Sequence, residues 1–269
     1  MNKPVLQPQS TTAIDITDET TQAMPLVRQA LKKVPEMTVF FWIVKLLTTA
    51  LGESTSDYLV HQFDPVVAVA LGGIGLVVAL LLQFAVRRYI AWVYWFAVAM
   101  VAVFGTMGAD VVHIGFGVPY VVSSVFFALA LAAIFIVWYV SEKTLSIHSI
   151  FTRRRELFYW ATIMTTFALG TAVGDMTAST LKLGYLSSGV LFAILFAVPA
   201  LGYFLFRLNA IFAFWFAYIV TRPFGASFAD WIGKPRDAGG VGLGNGKVSL
   251  VLATIIIGFI IYLTVSRKD

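Results

Sequence analysis

Four aspartates recur in this chain at a fixed distance from a tryptophan. Each lies fifteen residues after its tryptophan, and the pairs are Trp42 and Asp57, Trp95 and Asp110, Trp160 and Asp175, and Trp215 and Asp230. Glu53 precedes Asp57 by one helical turn and adds a fifth acid. Carboxylates inside apolar sequence bind a cation, exchange protons or pair with basic side chains, because an uncompensated charge in a membrane is costly.

Two histidines extend this set of acids. His61 follows Asp57 by four residues and His113 follows Asp110 by three, so each shares a helical face with its aspartate. Oxygen and imidazole ligands suit Mn²⁺ or Zn²⁺ better than a soft metal. The predicted metal ligands are Asp57, Asp110, Asp175, Asp230, Glu53, His61 and His113. The alternative is that the aspartates are hydrated helix ends at the membrane surface and that the histidines are loop residues.

Two basic residues lie in the same apolar stretches as the acids. They are Lys45 and Arg222, and Pro223 after the arginine is expected to kink a helix. We predict that both act as charge partners or gates on a transport path, with five acids against two bases.

The composition places the chain in a membrane. Hydrophobic residues make up 59% of it and charged residues only 12%, whereas a soluble domain carries roughly 25% charged residues. The net charge of +5 is typical of the positive-inside rule, so no nucleic-acid partner is expected. No cysteine is present, the glycine-rich segment 239–247 lacks the spacing of a phosphate loop, and no nucleophile–base pair stands out. We therefore expect no nucleotide, no cofactor and no enzyme activity.

Eight apolar runs of about 18 to 24 residues are long enough to cross ~30 Å of hydrocarbon as helices. They cover residues 37–58, 65–86, 91–112, 118–140, 157–178, 184–206, 209–231 and 247–265. The side that holds the N-terminus has 13 Lys and Arg residues against 4 on the other side. The predicted fold is an all-α polytopic membrane protein with both termini in the cytoplasm.

The tryptophan register divides the chain into four repeats of two helices that enter the membrane in the same direction. This predicts four parallel units in a pseudo-fourfold or two-half arrangement about the membrane normal. The predicted segments are a cytoplasmic tail 1–36, repeats at 37–89, 90–141, 157–207 and 208–269, and a basic cytoplasmic linker 142–156. The last repeat ends in a short cytoplasmic C-terminus. Within the tail, residues 24–34 fit either an interfacial helix or a solvated linker.

The same register predicts where the acids lie. If the tryptophans form a belt at the cytoplasmic interface, each aspartate lies ~22 Å further along the helix axis than its tryptophan. The fifteen-residue spacing also places it within about 60° of the same helical face. Four carboxylates at one level then allow a ring. A glycine follows each tryptophan by ten residues, at Gly52, Gly105, Gly170 and Gly225. These glycines permit either close helix packing or unwound segments whose carbonyls bind an ion.

The tandem units also resemble a known family. The phrases ALGESTSDYL, ALGTAVGD and RPFGASFADW, each near a tryptophan, are similar to bacterial membrane-anchored proteins built from four copies of a two-span repeat of unknown function. The resemblance covers about residues 38–265. It implies the repeat architecture and a bacterial inner-membrane location, and no biochemical activity.

These observations predict a cation transporter, for a divalent metal such as Mn²⁺ and in the direction of efflux, which uses the intramembrane acids. Its partners are the lipid bilayer, the transported cation and protons. The alternatives are a proton-coupled transporter of a small organic solute, whose pocket aromatic residues would line, and a non-transporting scaffold or sensor. The ion, the coupling and a homo-oligomeric state are left open by the sequence.

Overall fold

The described part of the chain is a bundle of eight α-helices. A computed structural model describes residues 32–266. The helices are α1 (Val39–Gln62), α2 (Pro65–Ala85), α3 (Ala91–Asp110), α4 (Tyr120–Glu142), α5 (Arg153–Asp175), α6 (Gly184–Phe206), α7 (Ala210–Gly233) and α8 (Asn245–Ser266). A π-helical turn directly follows α3 at Val111–Gly115, and another follows α5 at Met176–Thr180.

Local signals in the sequence start several of these helices. The side chains of Thr38, Thr152 and Asn209 accept hydrogen bonds from the first-turn amides of α1, α5 and α7. Asp64 caps α2 in the same way, and Pro65 occupies the first helical position. Every predicted apolar run overlaps one helix. However, α5 begins at Arg153, so the basic run of the predicted linker forms its first turn.

Seven of the eight helices, α2 to α8, are long and apolar enough to cross a membrane, which makes this a multi-pass membrane protein. Helix α1 has 24 residues but is less apolar, because it carries Lys45, Glu53 and Asp57. Lys45 and Glu53 are buried in the protein and Asp57 is partly buried. The first predicted span, residues 37–58, therefore corresponds to α1, whose ionisable side chains Lys45 and Glu53 pack against other parts of the protein.

The inner helices α1, α3, α5 and α7 form a closed ring, in which each packs against the next and α7 packs against α1. Each outer helix packs mainly on the inner helix of the following repeat. Thus α2 lies on α3, α4 on α5, α6 on α7, and α8 returns to α1. The two helices of one predicted repeat make few contacts with each other, so the predicted two-helix arrangement is not confirmed as a packing unit. Successive repeats interlock instead, and the last one closes on the first.

The four register glycines explain how closely the inner helices approach. A Cβ atom at each glycine would overlap the side chain or backbone of the next inner helix, always at the residue seven positions after a tryptophan. These contacts join Gly52 to Ala102, Gly105 to Phe167, Gly170 to Arg222 and Gly225 to Thr49. All four glycines lie inside regular α-helix. They are packing residues, and the alternative of unwound, ion-binding segments is wrong for these positions.

The tryptophans do not form an outward-facing aromatic belt. Trp95, Trp160 and Trp215 are at most 5% exposed and pack among aromatic rings inside the bundle, while Trp42 is partly buried. An example is the edge-on contact of Tyr94 and Trp95, whose ring centroids lie 5.2 Å apart. The aromatic residues therefore fill the ring near the N-terminal ends of the inner helices, where the sequence placed a membrane-surface anchor.

A short strap covers this end of the ring. Most of the predicted tail 1–36, and most of the segment 24–34 considered as an interfacial helix, lies outside the described residues. From residue 32 to 38 the chain is not helical. Lys33 forms a buried ion pair of 2.5 Å with Glu156 of α5, and Gln83 of α2 donates to the same carboxylate at 3.1 Å. The N-terminal ends of α1 and α5 are thus on the same side of the bundle.

The close approach at Gly52 generates a stability prediction. Gly52→Ala should lower the free energy of unfolding by about 1–3 kcal/mol, because the new methyl group meets the backbone of Ala102, which cannot move aside cheaply. The measurement is thermal or denaturant unfolding of the purified protein in detergent. Gly108→Ala on α3 is the matched control, since nothing lies within 4 Å of a Cβ there and alanine favours a helix. Equal destabilisation by both substitutions would contradict the packing role.

Candidate cation site in the four-helix ring

Arg222 connects all four inner helices. Its side chain is fully buried on α7, directly before the helix-interior proline Pro223. Its guanidinium donates hydrogen bonds to each of the other inner helices. On α1 the acceptors are the Thr49 carbonyl at 3.4 Å and Glu53 Oε2 at 2.5 Å. On α3 the acceptor is the Thr106 hydroxyl, and on α5 it is the Thr171 hydroxyl at 2.8 Å. One side chain therefore fixes the centre of the ring.

The partners of Arg222 follow the repeat register. Glu53, Thr106 and Thr171 each lie eleven residues after a tryptophan, and the fourth equivalent position is Ala226. Sequence reasoning used the carboxylate and missed the two threonines, although the register pointed to them. Three oxygen-bearing side chains at one level form a polar layer that accepts hydrogen bonds from a guanidinium or ligates a metal ion.

Three of the predicted acids come together beside this layer. One carboxylate oxygen from each of Glu53, Asp175 and Asp230 lies within 4.8 Å of the other two. Glu53 and Asp230 are each 3% exposed, and Asp175 is partly buried. The acids come from α1, α5 and α7, so closure of the inner ring is what assembles them.

Asp57 and Asp110 lie at the rim of this group. Asp57 accepts a hydrogen bond of 3.0 Å from Asn245 at the start of α8 and lies 3.7 Å from the ammonium of Lys234. Asp110 is partly exposed and interacts electrostatically with Glu53 and Asp57. All four repeat aspartates therefore lie at the C-terminal ends of the inner helices, but they are not equivalent.

Lys234, the residue that follows α7, is a basic partner of these acids. Its ammonium lies 3.1 Å from Asp230 Oδ2, at the end of α7. Burial alone would lower the pKa of Lys234, but the carboxylates of Asp230, Asp57 and Glu53 outweigh burial and raise the pKa well above its ordinary value. Lys234 is thus a fixed positive charge at the rim.

The charges in this region do not balance. Five carboxylates lie with two basic side chains, Arg222 and Lys234, so full ionisation would leave three uncompensated negative charges. In addition, Asp230 Oδ1 is buried and has no hydrogen-bond partner among the described residues. A buried carboxylate oxygen without a partner is energetically costly. A bound cation or a proton removes that cost.

The two histidines are not part of the group. His61 is exposed, and its Nδ1 lies 2.6 Å from the backbone carbonyl of Asp57. The ring of His113 forms a 3.0 Å hydrogen bond with the Ser123 hydroxyl and lies 4.6 Å from the ring of Tyr120. The predicted Asp/His pairing on one helical face therefore does not place either imidazole among the three clustered acids.

Lys45 is also separate from the acids. Its side chain is fully buried, and its Nζ atom has no hydrogen-bond partner among the described residues. The ammonium lies over the rings of Phe167 and Tyr218, at 4.0 and 4.2 Å from their centroids. Cation–π contacts of this kind contribute up to about 2 kcal/mol when desolvated. The predicted charge partner thus contacts aromatic faces and no carboxylate.

A cavity of about 860 Å³ lies away from the acids, between the N-terminal ends of α1 and α7 and the C-terminal half of α6. Trp42, Phe196 and Phe214 contribute aromatic faces to its apolar wall. It is large enough for an organic molecule or a lipid chain.

The Arg222–Glu53 pair generates a testable prediction. Arg222→Met should lower the free energy of unfolding by about 3–5 kcal/mol, because it leaves Glu53 buried without its cation. Adding Glu53→Gln should recover most of that loss, as a double-mutant cycle in detergent would measure. Arg88→Met, at an exposed arginine, is the control and should have little effect. If the double variant is as unstable as the sum of the two single ones, the pair is not coupled.

Comparison with known proteins bears on the whole chain. Four successive stretches, residues 40–89, 93–144, 158–209 and 213–269, match the repeat of unknown function DUF347. No curated protein and no solved structure matches the chain. These matches cover nearly all of the helical bundle, in the predicted number of repeats. The chain therefore belongs to the family of membrane proteins built from tandem DUF347 repeats.

Proposed function

We propose that this protein is a membrane transporter of hard divalent cations such as Mn²⁺, and that Glu53, Asp175 and Asp230 bind the cation. The observation that carries the proposal is the approach of their carboxylate oxygens to within 4.8 Å of one another inside the bundle. The partnerless Asp230 Oδ1 supports it, because a cation would satisfy this atom.

The donor atoms favour a hard cation. Three carboxylates and the neighbouring hydroxyls of Thr106 and Thr171 offer oxygen ligands only, which suit Mn²⁺, Mg²⁺ and Ca²⁺. The imidazoles that would favour Zn²⁺ lie outside the group. When all five acids are ionised, their three excess negative charges attract a divalent ion.

Arg222 acts in this proposal as a built-in counter-ion. It holds Glu53 when no cation is present, so an arriving cation competes with the guanidinium for the same carboxylate. Asp57 and Asp110 lie partly exposed at the rim, where their charge attracts cations toward the site. Competition of this kind keeps the bound ion from being held too tightly to leave.

The described conformation fits access from one side. The acids lie toward the C-terminal ends of the inner helices, and three of them are partly exposed. At the other end, buried tryptophans and the Lys33–Glu156 pair fill the ring. With the N-terminal side in the cytoplasm, as the distribution of basic residues predicts, the acids lie toward the side away from the cytoplasm. An exporter holds its ion on that side after moving it.

The apolar cavity near Trp42 favours a second candidate, a proton-coupled transporter of a small organic solute. Its volume of about 860 Å³ and its aromatic wall suit a drug-sized apolar molecule. In this version the acids carry protons and the solute binds at the side of the ring. A non-transporting scaffold or sensor would need neither the cavity nor the acids for flux.

Transport by reconstituted protein separates these candidates. We expect Mn²⁺ flux into proteoliposomes to fall at least about tenfold in Glu53→Gln, Asp175→Asn and Asp230→Asn, because each removes one charged ligand. Asp57→Asn and Asp110→Asn should mainly raise KM, since these residues lie at the rim. Asp64→Asn is the matched control, because Asp64 is exposed and asparagine keeps the helix cap.

Wild-type flux in all three ligand variants, with the protein folded and inserted, would rule out the acid site. Flux of an apolar organic cation or solute in place of Mn²⁺ would favour the second candidate. Parallel assays with Zn²⁺, Mg²⁺ and Ca²⁺ rank the ions.

A further inference from the structure

Lys45 occupies an environment that tolerates both the charged and the neutral side chain. Its Nζ lies over two aromatic faces, those of Phe167 and Tyr218, and accepts or donates no hydrogen bond to the described residues. Aromatic faces stabilise an ammonium, but less than a paired carboxylate would. A neutral amine fits the same apolar cage without an unpaired charge. Such a lysine gains or loses a proton in response to small changes in nearby charge.

The nearest source of such a change is Arg222. The guanidinium carbon of Arg222 lies 5.6 Å from the centroid of the Phe167 ring, and Lys45 Nζ lies 4.0 Å from the same centroid. Two positive charges therefore share one ring in a buried region, where they repel each other strongly. In the described state Arg222 also donates a 2.5 Å hydrogen bond to Glu53, whose negative charge offsets part of the repulsion between Arg222 and Lys45.

The other ionisable groups around Lys45 do not replace this partner. The helices beside α1 are α2, α3, α7 and α8, and α5 lies across the ring. At or before the level of Lys45 they contribute the tyrosines Tyr94, Tyr159 and Tyr218, of which the first two share a hydrogen bond of 2.5 Å. The start of α5 also carries Arg153, Arg154, Arg155 and Glu156, and Glu156 is paired with Lys33. Helix α2 has no ionisable residue, and α8 has Lys247, which is exposed, and Tyr262, whose ring contacts Phe40. On the far side of Arg222 from Lys45 lie Glu53 and the four repeat aspartates.

We propose that Lys45 is the proton-binding site of this transporter and that it releases one proton for each divalent cation bound among Glu53, Asp175 and Asp230. The inference rests on the proposed transport function and adds its coupling ion. A bound cation takes Glu53 from Arg222, the freed guanidinium moves its charge toward Phe167, and the Lys45 ammonium gives its proton to water as a neutral amine. When the cation leaves, Arg222 returns to Glu53 and Lys45 takes up a proton.

This arrangement makes the protein an exchanger. The cation and the proton exclude each other through Arg222, so movement of one across the membrane is coupled to the opposite movement of the other. The proton from Lys45 offsets one of the two positive charges that a divalent ion carries across the membrane. Cation affinity should accordingly rise about tenfold per pH unit for the proton that Lys45 supplies, because binding releases that proton.

Calorimetry can count that proton. The full chain in nanodiscs is titrated with Mn²⁺ in two buffers that differ in ionisation enthalpy, which gives the number of protons released on binding. Lys45→Met should release one proton fewer than the wild type when it binds Mn²⁺. For each pH unit, its Mn²⁺ affinity should therefore rise about tenfold less than that of the wild type. Lys247→Met is the matched control and should behave as the wild type, since that lysine is exposed at the start of α8.

Transport gives an independent readout with the same variants. Lys45→Met proteoliposomes should still pass Mn²⁺ down its own gradient, but an imposed pH gradient should no longer drive accumulation. Lys45→Met should keep or raise the unfolding temperature, because a buried unpaired charge is replaced by an apolar chain of similar length. Lys45→Arg, which stays charged, should also release one proton fewer and should bind Mn²⁺ more weakly.

The outcomes distinguish the two proposals. If Lys45→Met and Lys45→Arg bind Mn²⁺ with the wild-type number of released protons, the role of Lys45 is overturned while the cation site stands. If the wild type binds no divalent cation at all, the proposed function is overturned and the coupling with it.

Discussion

The hydrogen bonds of Arg222 are the interaction on which the inner ring depends. A guanidinium cannot lose its proton, so inside a membrane it must be surrounded by acceptors or it opposes folding. Helix α7 supplies the arginine, and α1, α3 and α5 each supply oxygen atoms to it. The four helices therefore meet at one level, where Arg222 neutralises the buried Glu53 and the hydroxyls of Thr106 and Thr171 accept from its guanidinium.

Close packing makes that meeting geometrically feasible. The register glycines bring each inner helix against the next at the same level, and the outer helices interlock with the following repeat. Because the glycines lie between the tryptophans and the aspartates, the aromatic end and the acidic end of the ring are set by the same contacts. One end of the bundle is packed with aromatic side chains and the other end carries the acids. This difference follows from the repeated order of tryptophan, glycine and aspartate along each inner helix.

Much of this could be predicted from the sequence. Apolar length placed the helices to within a few residues, and the tryptophan register predicted that the aspartates share one end of the bundle. What the register could not show is the departure from symmetry. Lys45, Glu53 and Arg222 each occur in one repeat only, and the equivalent positions of the other three repeats carry other residue types. Their pairing depends on the order of helices round the ring, which no spacing along the chain encodes.

The differences between the sequence interpretation and the contacts of His61 and Lys45 have the same origin. His61 shares a helical face with Asp57, but it lies beyond the ring and points its Nδ1 at a backbone carbonyl. Lys45 is in the same helix as Glu53, yet it lies two turns away, roughly 12 Å along the axis, and faces aromatic rings. Helical spacing gives the direction of a side chain, but the neighbouring helices decide which groups it contacts.

The central claim is that one divalent cation binds inside the ring. Anomalous scattering from crystals of the protein grown with Mn²⁺ tests this most directly. We expect a single strong manganese peak in contact with carboxylate oxygens of Glu53, Asp175 and Asp230, with the guanidinium of Arg222 withdrawn from Glu53. A peak at His61 or elsewhere on the surface, with the ring unoccupied and Arg222 still bound to Glu53, would contradict it.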